Sequence, residues 1–320
     1  MTGETIESMI AAAHHLTPAL LGRDPHDIAG ALTAMDERMY GNHGAKAAIE
    51  IALHDLVGRA TNRPVHALLG EKQRDRAAIL TVIGGGDRDG DLHDAAKKMR
   101  DGFTMFKIKV GVDTPATDAA RTRAICKVLG SGGIISADAN QGFSTAEALA
   151  YVHAVAGVGL DFFEQPVRAG DLDGMAAIAA ASNIVIGADE GIHSLEDIRR
   201  HQARHAARGV SLKAIKLGGL RALTQAARLC GTLGMSVNIA SKTGESSIAC
   251  AAALHVAVVI PDIAWGLTLT NAALVADVTR QPVRIDNGQA HVLDRPGLGI
   301  DVDEDLVRRH RIDVNMRPAA

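Results

Sequence analysis

From about residue 78 onward, short β-branched or apolar runs alternate with longer stretches whose apolar residues recur every three or four positions. The runs 79–83, 105–110, 134–137, 160–163, 184–187, 210–215, 236–239 and 263–266 predict eight strands. Stretches 114–129, 145–156, 195–207 and 222–233 between them carry the helical period. Strands alternating with single helices imply right-handed βαβ units and a parallel sheet. Eight such units over about 190 residues fit a closed (β/α)8 barrel better than an open sheet. The fold class is α/β.

The two ends of the chain follow other patterns. Residues 1–76 show helical patterns only, over 5–16, 26–39 (after Asp24-Pro25) and 44–59. After Asn271, the runs Val283-Arg284-Ile285 and Ala290-His291-Val292 flank Asp286-Asn287-Gly288, and Asn-Gly favours a type I′ hairpin turn. An isolated two-stranded ribbon is marginal, so this hairpin needs a partner sheet. Residues 1–76 supply no strand to pair with it. The expected organisation is a helical part of a capping domain over 1–76, the barrel over 77–270, and a segment 271–320 that returns to the cap.

Composition narrows the partners. The formal charge of −3 argues against a nucleic-acid or polybasic membrane surface. With only 5 Phe, 2 Tyr and 1 Trp, few platforms exist for stacking single-stranded bases. The core is therefore built from Ala, Val, Ile and Leu. Cys126, Cys230 and Cys250 are odd in number and widely spaced in helix-like surroundings, which reads as buried thiols in a reducing compartment. Met1-Thr2-Gly3-Glu4 shows no basic start followed by an apolar run, and the longest apolar stretch, 249–261, is too short to span a bilayer. The expected location is cytoplasmic.

Chemistry gathers at the ends of the strands. Asp138 ends the third run, Glu164 the fourth and Asp189 the fifth, at intervals of 26 and 25 residues, one βα unit each. Neighbouring parallel strands lie about 4.8 Å apart, so three carboxylates at equivalent ends converge. Unless a cation holds them, they repel. Any one of them is explained as a helix N-cap; three at consecutive units are better explained as ligands. Oxygen ligands with no His or Cys beside them point to Mg2+, with Mn2+ as the other candidate, and away from zinc.

Lysines bracket the three acids. Lys107 and Lys109 share one face of the second strand by its two-residue period, with Lys109 nearer the C-terminal end. Lys213 lies in the sixth run, 24 residues beyond Asp189. Strands two and six oppose each other across a barrel mouth, so these lysines would flank a small substrate whose carboxylate sits on the metal. Such a site suits abstraction of the proton α to a carboxylate, because the enolate needs electrostatic stabilisation. Lys216, three residues on and beside Gly218-Gly219, reads as an ordinary lysine.

At these residues the chain resembles the enolase superfamily, and within it the mandelate racemase/muconate lactonizing enzyme family, muconate cycloisomerase subgroup. The motifs are Lys107-Ile108-Lys109, Asp138-Ala139-Asn140, Glu164-Gln165-Pro166, Asp189-Glu190 and Lys213 upstream of Gly218-Gly219. The resemblance implies a divalent metal, usually Mg2+, on Asp138, Glu164 and Asp189. It also implies acid/base roles for Lys109 and Lys213 on opposite substrate faces, Lys107 tuning Lys109, and Asn140 and Glu190 supporting the metal. Two departures stand out. The family's opening three-stranded sheet, which carries a loop over the active site and would partner the hairpin, is not seen before Thr5, so the cap is expected to be N-terminally truncated. In Ser241-Lys242-Thr243-Gly244-Glu245, Glu245 is similar to the family while Lys242 stands where a small residue is frequent; it either pairs with a substrate carboxylate or is solvated.

The reaction expected is Mg2+-dependent racemisation or epimerisation of a small amino-acid derivative. Cycloisomerisation and β-elimination (a dehydratase-type lyase) share the intermediate. An inactive truncated barrel acting as a scaffold is the alternative from another class, and a Schiff-base aldolase using Lys213 leaves the three acids unexplained. An incomplete cap would leave apolar surface and a hairpin edge exposed, so a homo-oligomer is expected.

Overall fold

The computed structural model describes residues 2–85 and 87–311; residues 312–320, the end of the returning segment, lie outside them. Short polar side chains set where the barrel helices begin. Asp87, Thr114, Ser144, Asp171 and Ser194 each accept the backbone N–H of the residue three further on. Each thereby satisfies one of the N–H groups that a helix start leaves without an internal partner.

The chain opens with α1 (Ile6–Leu20), α2 (Ile28–Arg38), α3 (His43–Ala60) and the short α4 (His66–Leu69), followed by β1 (Arg76–Ala78). Alternation then begins with β2 (Leu80–Ile83), α5 (Arg88–Arg100), β3 (Met105–Lys109), α6 (Pro115–Leu129), β4 (Ile134–Asp138) and α7 (Thr145–Ala154). It continues through β5 (Phe162–Glu164), α8 (Leu172–Ala181), β6 (Val185–Ala188), α9 (Leu195–Ala203) and β7 (Gly209–Leu212). After α10 (Ala214–Leu217) and α11 (Leu220–Thr232) come β8 (Ser236–Ala240), α12 (Ser247–Ala257) and β9 (Leu267–Thr268). Strands β2 to β9 pair in sequence order, all parallel, and the Ile79–Leu267 bridge brings the last back to the first. The ring is the expected eight-stranded barrel.

Most strands lie within one or two residues of their expected bounds, and two differ in kind. The run 263–266 is a turn, because Gly266 adopts φ +70° and donates its N–H to the Ile263 carbonyl at 2.7 Å; pairing starts at Leu267. The run 210–215 stops being a strand at Leu212, and Lys213 caps the single turn of α10. That change of period turns Lys216 into the interior.

The barrel interior is apolar at its floor and polar at its mouth. Trp265 stacks flat on Phe162, with ring centroids 3.8 Å apart and planes 3° from parallel, and Leu80 packs beside them. Gly187 and Gly209 make room for that ring, since a Cβ on either would press into it. Higher up, the buried interior residues are Lys107, Ser136, Ser211 and Asn238. The three cysteines are free and buried.

The hairpin forms as β10 (Ile285–Asp286) and β11 (Gln289–His291), with Asn287 and Gly288 at φ 46° and 69°, as a type I′ turn requires. Residues 1–76 were expected to supply no partner strand, and the partner forms at the boundary of that stretch. Strand β1 lies antiparallel to β11, Arg76 opposite His291, so the stretch read as wholly helical ends in a strand. Those residues were too few to register as a strand on their own.

Helix α3 joins the N-terminal helices to the barrel. The His43 ring contacts the Lys216 carbonyl through Nδ1 at 2.7 Å, and buried Glu50 accepts the Arg221 N–H at 2.9 Å. Burial pushes the Glu50 carboxyl up to about 7, only partly offset by the Arg221 amide. The fold therefore retains a proton that the unfolded chain releases near 4.5. The associated stability is complete below that unfolded value and is lost as pH rises through about 7, a fall of up to roughly 3 kcal/mol. Glu50→Gln keeps the acceptor oxygen and removes the titration. Urea unfolding at pH 5 and pH 8 should show a smaller fall in the variant than in the wild type; an equal fall would contradict this assignment.

Candidate active site

In-register parallel pairing brings the chemistry together. Lys109 lies opposite Asp138, Asp138 opposite Glu164, and Glu164 opposite Gly187. Asp189 follows Gly187 by two positions, the spacing that returns a strand to the same face. All three carboxylates are at least 98% buried at the C-terminal mouth. Burying three such charges is costly unless each finds a partner.

Each of them has a lysine. Lys107 Nζ donates to Glu164 Oε2 at 2.7 Å and lies 3.7 Å from Asp138 Oδ2. Lys109 Nζ donates to Asp138 Oδ2 at 2.6 Å and to Asn140 Oδ1 at 2.5 Å. Lys213 donates to Asp189 Oδ2. Burial works against the Lys107 charge, yet Glu164 and Asp138 overcome it and hold the ammonium above its usual range. Burial likewise opposes ionisation of Asp189, but Lys213 and Lys216 outweigh it and hold the carboxyl well below the usual value. Glu164 moves the other way: burial raises it, with Asp138 and Asp189 adding to the effect against Lys107.

The supporting residues join this group. Asn140 donates through Nδ2 to Glu190 Oε1 at 3.0 Å, so it links Lys109 to Glu190. Burial, then the neighbouring Asp189, raises the Glu190 carboxyl. Glu245 is raised by burial, and accepts the Lys242 backbone N–H at 2.8 Å. The Lys242 side chain itself is exposed on the loop after β8.

Three participants were not assigned a role from the sequence. Lys216 is fully buried and donates to Asp189 Oδ1 at 2.6 Å, to the Asp189 carbonyl and to the Ser211 carbonyl. The reading of Lys216 as an ordinary lysine is thereby corrected. The helical turn of α10, in place of a continuing strand, carries it inward, and the Lys-x-x-Lys spacing was the available signal. Ser211 Oγ donates to Glu164 Oε2 at 2.8 Å. Gln165, at φ 35°, accepts the N–H groups of Asp189 and Gly191 at 2.9 and 3.1 Å and so fixes the β6 end.

Among the described residues no three acids, histidines or cysteines converge as a ready-made cation cage; a lysine head engages each of the three carboxylates instead, and Lys107 reaches both Glu164 and Asp138. The residues nonetheless suit Mg2+ in kind. They offer hard oxygen donors, and Glu164 Oε1 is buried with no hydrogen-bond partner.

Comparison with known proteins decides the family. Residues 91–306 match the model for enolase C-terminal domain-like proteins, and residues 1–70 the N-terminal domain of mandelate racemase/muconate lactonizing enzymes. The chain belongs to this enolase-superfamily family. It is 31% identical to chloromuconate cycloisomerase of Pseudomonas sp. strain P51, over 97% of this chain and 83% of that protein. With N-succinyl-L-Arg/Lys racemase of Bacillus cereus it shares 32% identity, covering 96% and 83%. Muconate lactonizing enzyme from Pseudomonas fluorescens, solved with muconolactone, superposes with a TM-score of 0.93 at 30% identity, covering 97% and 84%. The superfamily relatives are isomerases, and this chain is an enzyme of that kind. Enolase-superfamily enzymes generally use Mg2+.

The two lysines on Asp189 are separable by mutation. Lys216→Met removes the donor to one buried Asp189 carboxylate oxygen and to the Ser211 carbonyl, while the Asp189 carbonyl keeps the Ile192 N–H at 3.0 Å, and should cost about 3–5 kcal/mol in urea unfolding. A loss below about 1 kcal/mol would mean that Lys213 alone neutralises Asp189.

Proposed function

We propose that this enzyme moves the α-proton of a small carboxylate substrate between Lys109 and Lys213, as a racemase or epimerase of an amino-acid derivative. The observation that carries this reading is the placement of the two amines. In a ring ordered β2 to β9, β3 and the end of β7 are four strands apart, so Lys109 and Lys213 approach the mouth from opposite sides. Between them lie the acids of β4, β5 and β6.

Racemisation needs one group to remove the proton from one face and another to return a proton to the opposite face. Asp138 and Asn140 orient the Lys109 amine, and Asp189 orients that of Lys213. Lys107 is committed to Glu164 and serves as a fixed charge that keeps this acid in place. Asp138, Glu164 and Asp189 would hold Mg2+, which supplies positive charge to the substrate carboxylate and so makes the α-proton more acidic. The N-succinyl-L-Arg/Lys racemase relative makes N-acylated basic amino acids the first substrates to test. Lys242, exposed on the β8 loop, is available to a second substrate carboxylate such as a succinyl group. The chloromuconate cycloisomerase relatives favour a second reading, in which one lysine delivers a proton during lactone formation from a muconate.

Incubation of N-succinyl-lysine, N-succinyl-arginine and simpler N-acylamino acids in D2O with Mg2+ tests the proposal. Deuterium should enter the α-position, and EDTA should stop it. Lys109→Ala and Lys213→Ala should each lower exchange by about 10²–10⁴-fold, each on a different enantiomer. Loss of muconate absorbance with no α-exchange would shift the assignment to cycloisomerisation. Exchange that survives chelation would sink the Mg2+-assisted mechanism.

A further inference from the structure

Outside the ring, on the helical layer, a buried ionic group has no part in the site as described. Arg121 of α6 donates through Nη1 to Asp91 Oδ2 of α5 at 2.6 Å and through Nη2 to Asp118 Oδ1 at 3.1 Å. The same Nη2 donates to the backbone carbonyl of Lys109. The second oxygen of Asp118 accepts the Gly111 N–H at 2.7 Å. Asp91 and Asp118 are buried, and the Arg121 side chain is only 16% exposed. Helix packing alone does not call for this group, since well-packed apolar residues serve as well or better at such a place.

What the group does is hold the two ends of one short backbone segment. Arg121 takes the carbonyl of Lys109 and Asp118 takes the amide of Gly111. Between them, the Val110 N–H bonds to the Asp138 carbonyl at 3.0 Å. Gly111 sits at φ +89°, and a Cβ there would lie 2.8 Å from the Ala139 carbonyl, so the segment is pressed against the turn that carries Asp138 and Asn140. Gly84 closes the remaining side, where a Cβ would lie 2.9 Å from that of Lys109. The origin of the Lys109 side chain is thus fixed from the helical layer, from β4 and from the loop after β2.

We propose that Arg121, with Asp118 and Asp91, is a positioning residue for Lys109. It sets where the amine emerges relative to Asp138 and Asn140, and acts on one face of the substrate only. Lysine cannot replace it, because a single ammonium does not reproduce a planar fork spanning two carboxylates and a carbonyl. The consequence for one enantiomer rests on the exchange reaction proposed above; the placement of Lys109 does not.

Two variants and two readouts test it. Arg121→Lys keeps the charge, and Asp118→Asn keeps an acceptor for Gly111, which guards against a fold that fails in one of them. The first readout is the acetylation rate of Lys109 against pH in the full chain, by peptide mass spectrometry, with exposed Lys127 as internal reference. Both variants should shift the Lys109 rate by about threefold or more and leave Lys127 unchanged. The second readout is α-deuterium exchange. It should fall by about tenfold or more for the enantiomer that Lys109→Ala abolishes, and far less for the other. Lowered unfolding stability with unchanged Lys109 labelling would overturn the proposal, as would an equal loss for both enantiomers. Should the wild type exchange no α-proton, the labelling still decides the role of Arg121, and the failure falls on the reaction alone.

Discussion

The structure depends on how a parallel barrel disposes of buried carboxylates. In-register pairing leaves Asp138 and Glu164 side by side, and two further residues bring Asp189 to the same face. Water is largely excluded there, so their mutual repulsion is only weakly screened. Four lysines answer it: Lys107, Lys109, Lys213 and Lys216 each have an amine on one of these acids. The supporting hydrogen bonds follow from that constraint. Asn140 ties Lys109 to Glu190, Gln165 clamps the Asp189 turn, and Ser211 adds a second donor to Glu164 Oε2.

The rest of the fold maintains this group at one end of the ring. The floor is closed by Trp265 on Phe162, so apolar packing is spent where no chemistry occurs. At the mouth, two outer layers reach inward by hydrogen bonds. Helix α3 holds the Lys216 carbonyl through His43 and the start of α11 through Glu50. Helices α5 and α6 hold the Lys109 carbonyl and the Gly111 amide. The two lysine-bearing segments are therefore anchored by different parts of the chain, which suits amines that serve opposite faces.

Much of this was legible in the residues. The spacing of Asp138, Glu164 and Asp189 marked consecutive strand ends because one βα unit has a nearly constant length, and Lys107 and Lys109 followed from strand period. Lys216 was missed because a strand was expected to run on to 215, whereas the chain turns helical after Lys213. Strand β9 was misplaced because 263–266 is apolar but bends at Gly266, a conformation that hydrophobicity does not report. Three residues, Arg76–Ala78, carry too little pattern to announce a strand, and only the hairpin's need for a partner pointed to one. The Arg121 group joins residues from two helices to a strand end, contacts that exist only once the layers are packed.

Asp138, Glu164 and Asp189 are proposed to hold a divalent cation while Lys109 and Lys213 remain beside them as acid and base. Calorimetric titration of the protein with Mg2+, without substrate, tests this most directly. Saturable binding of one ion per chain is predicted, abolished in Glu164→Gln, whose unpartnered Oε1 is the oxygen most available to a cation. Absence of binding, or binding that Glu164→Gln leaves intact, would contradict it.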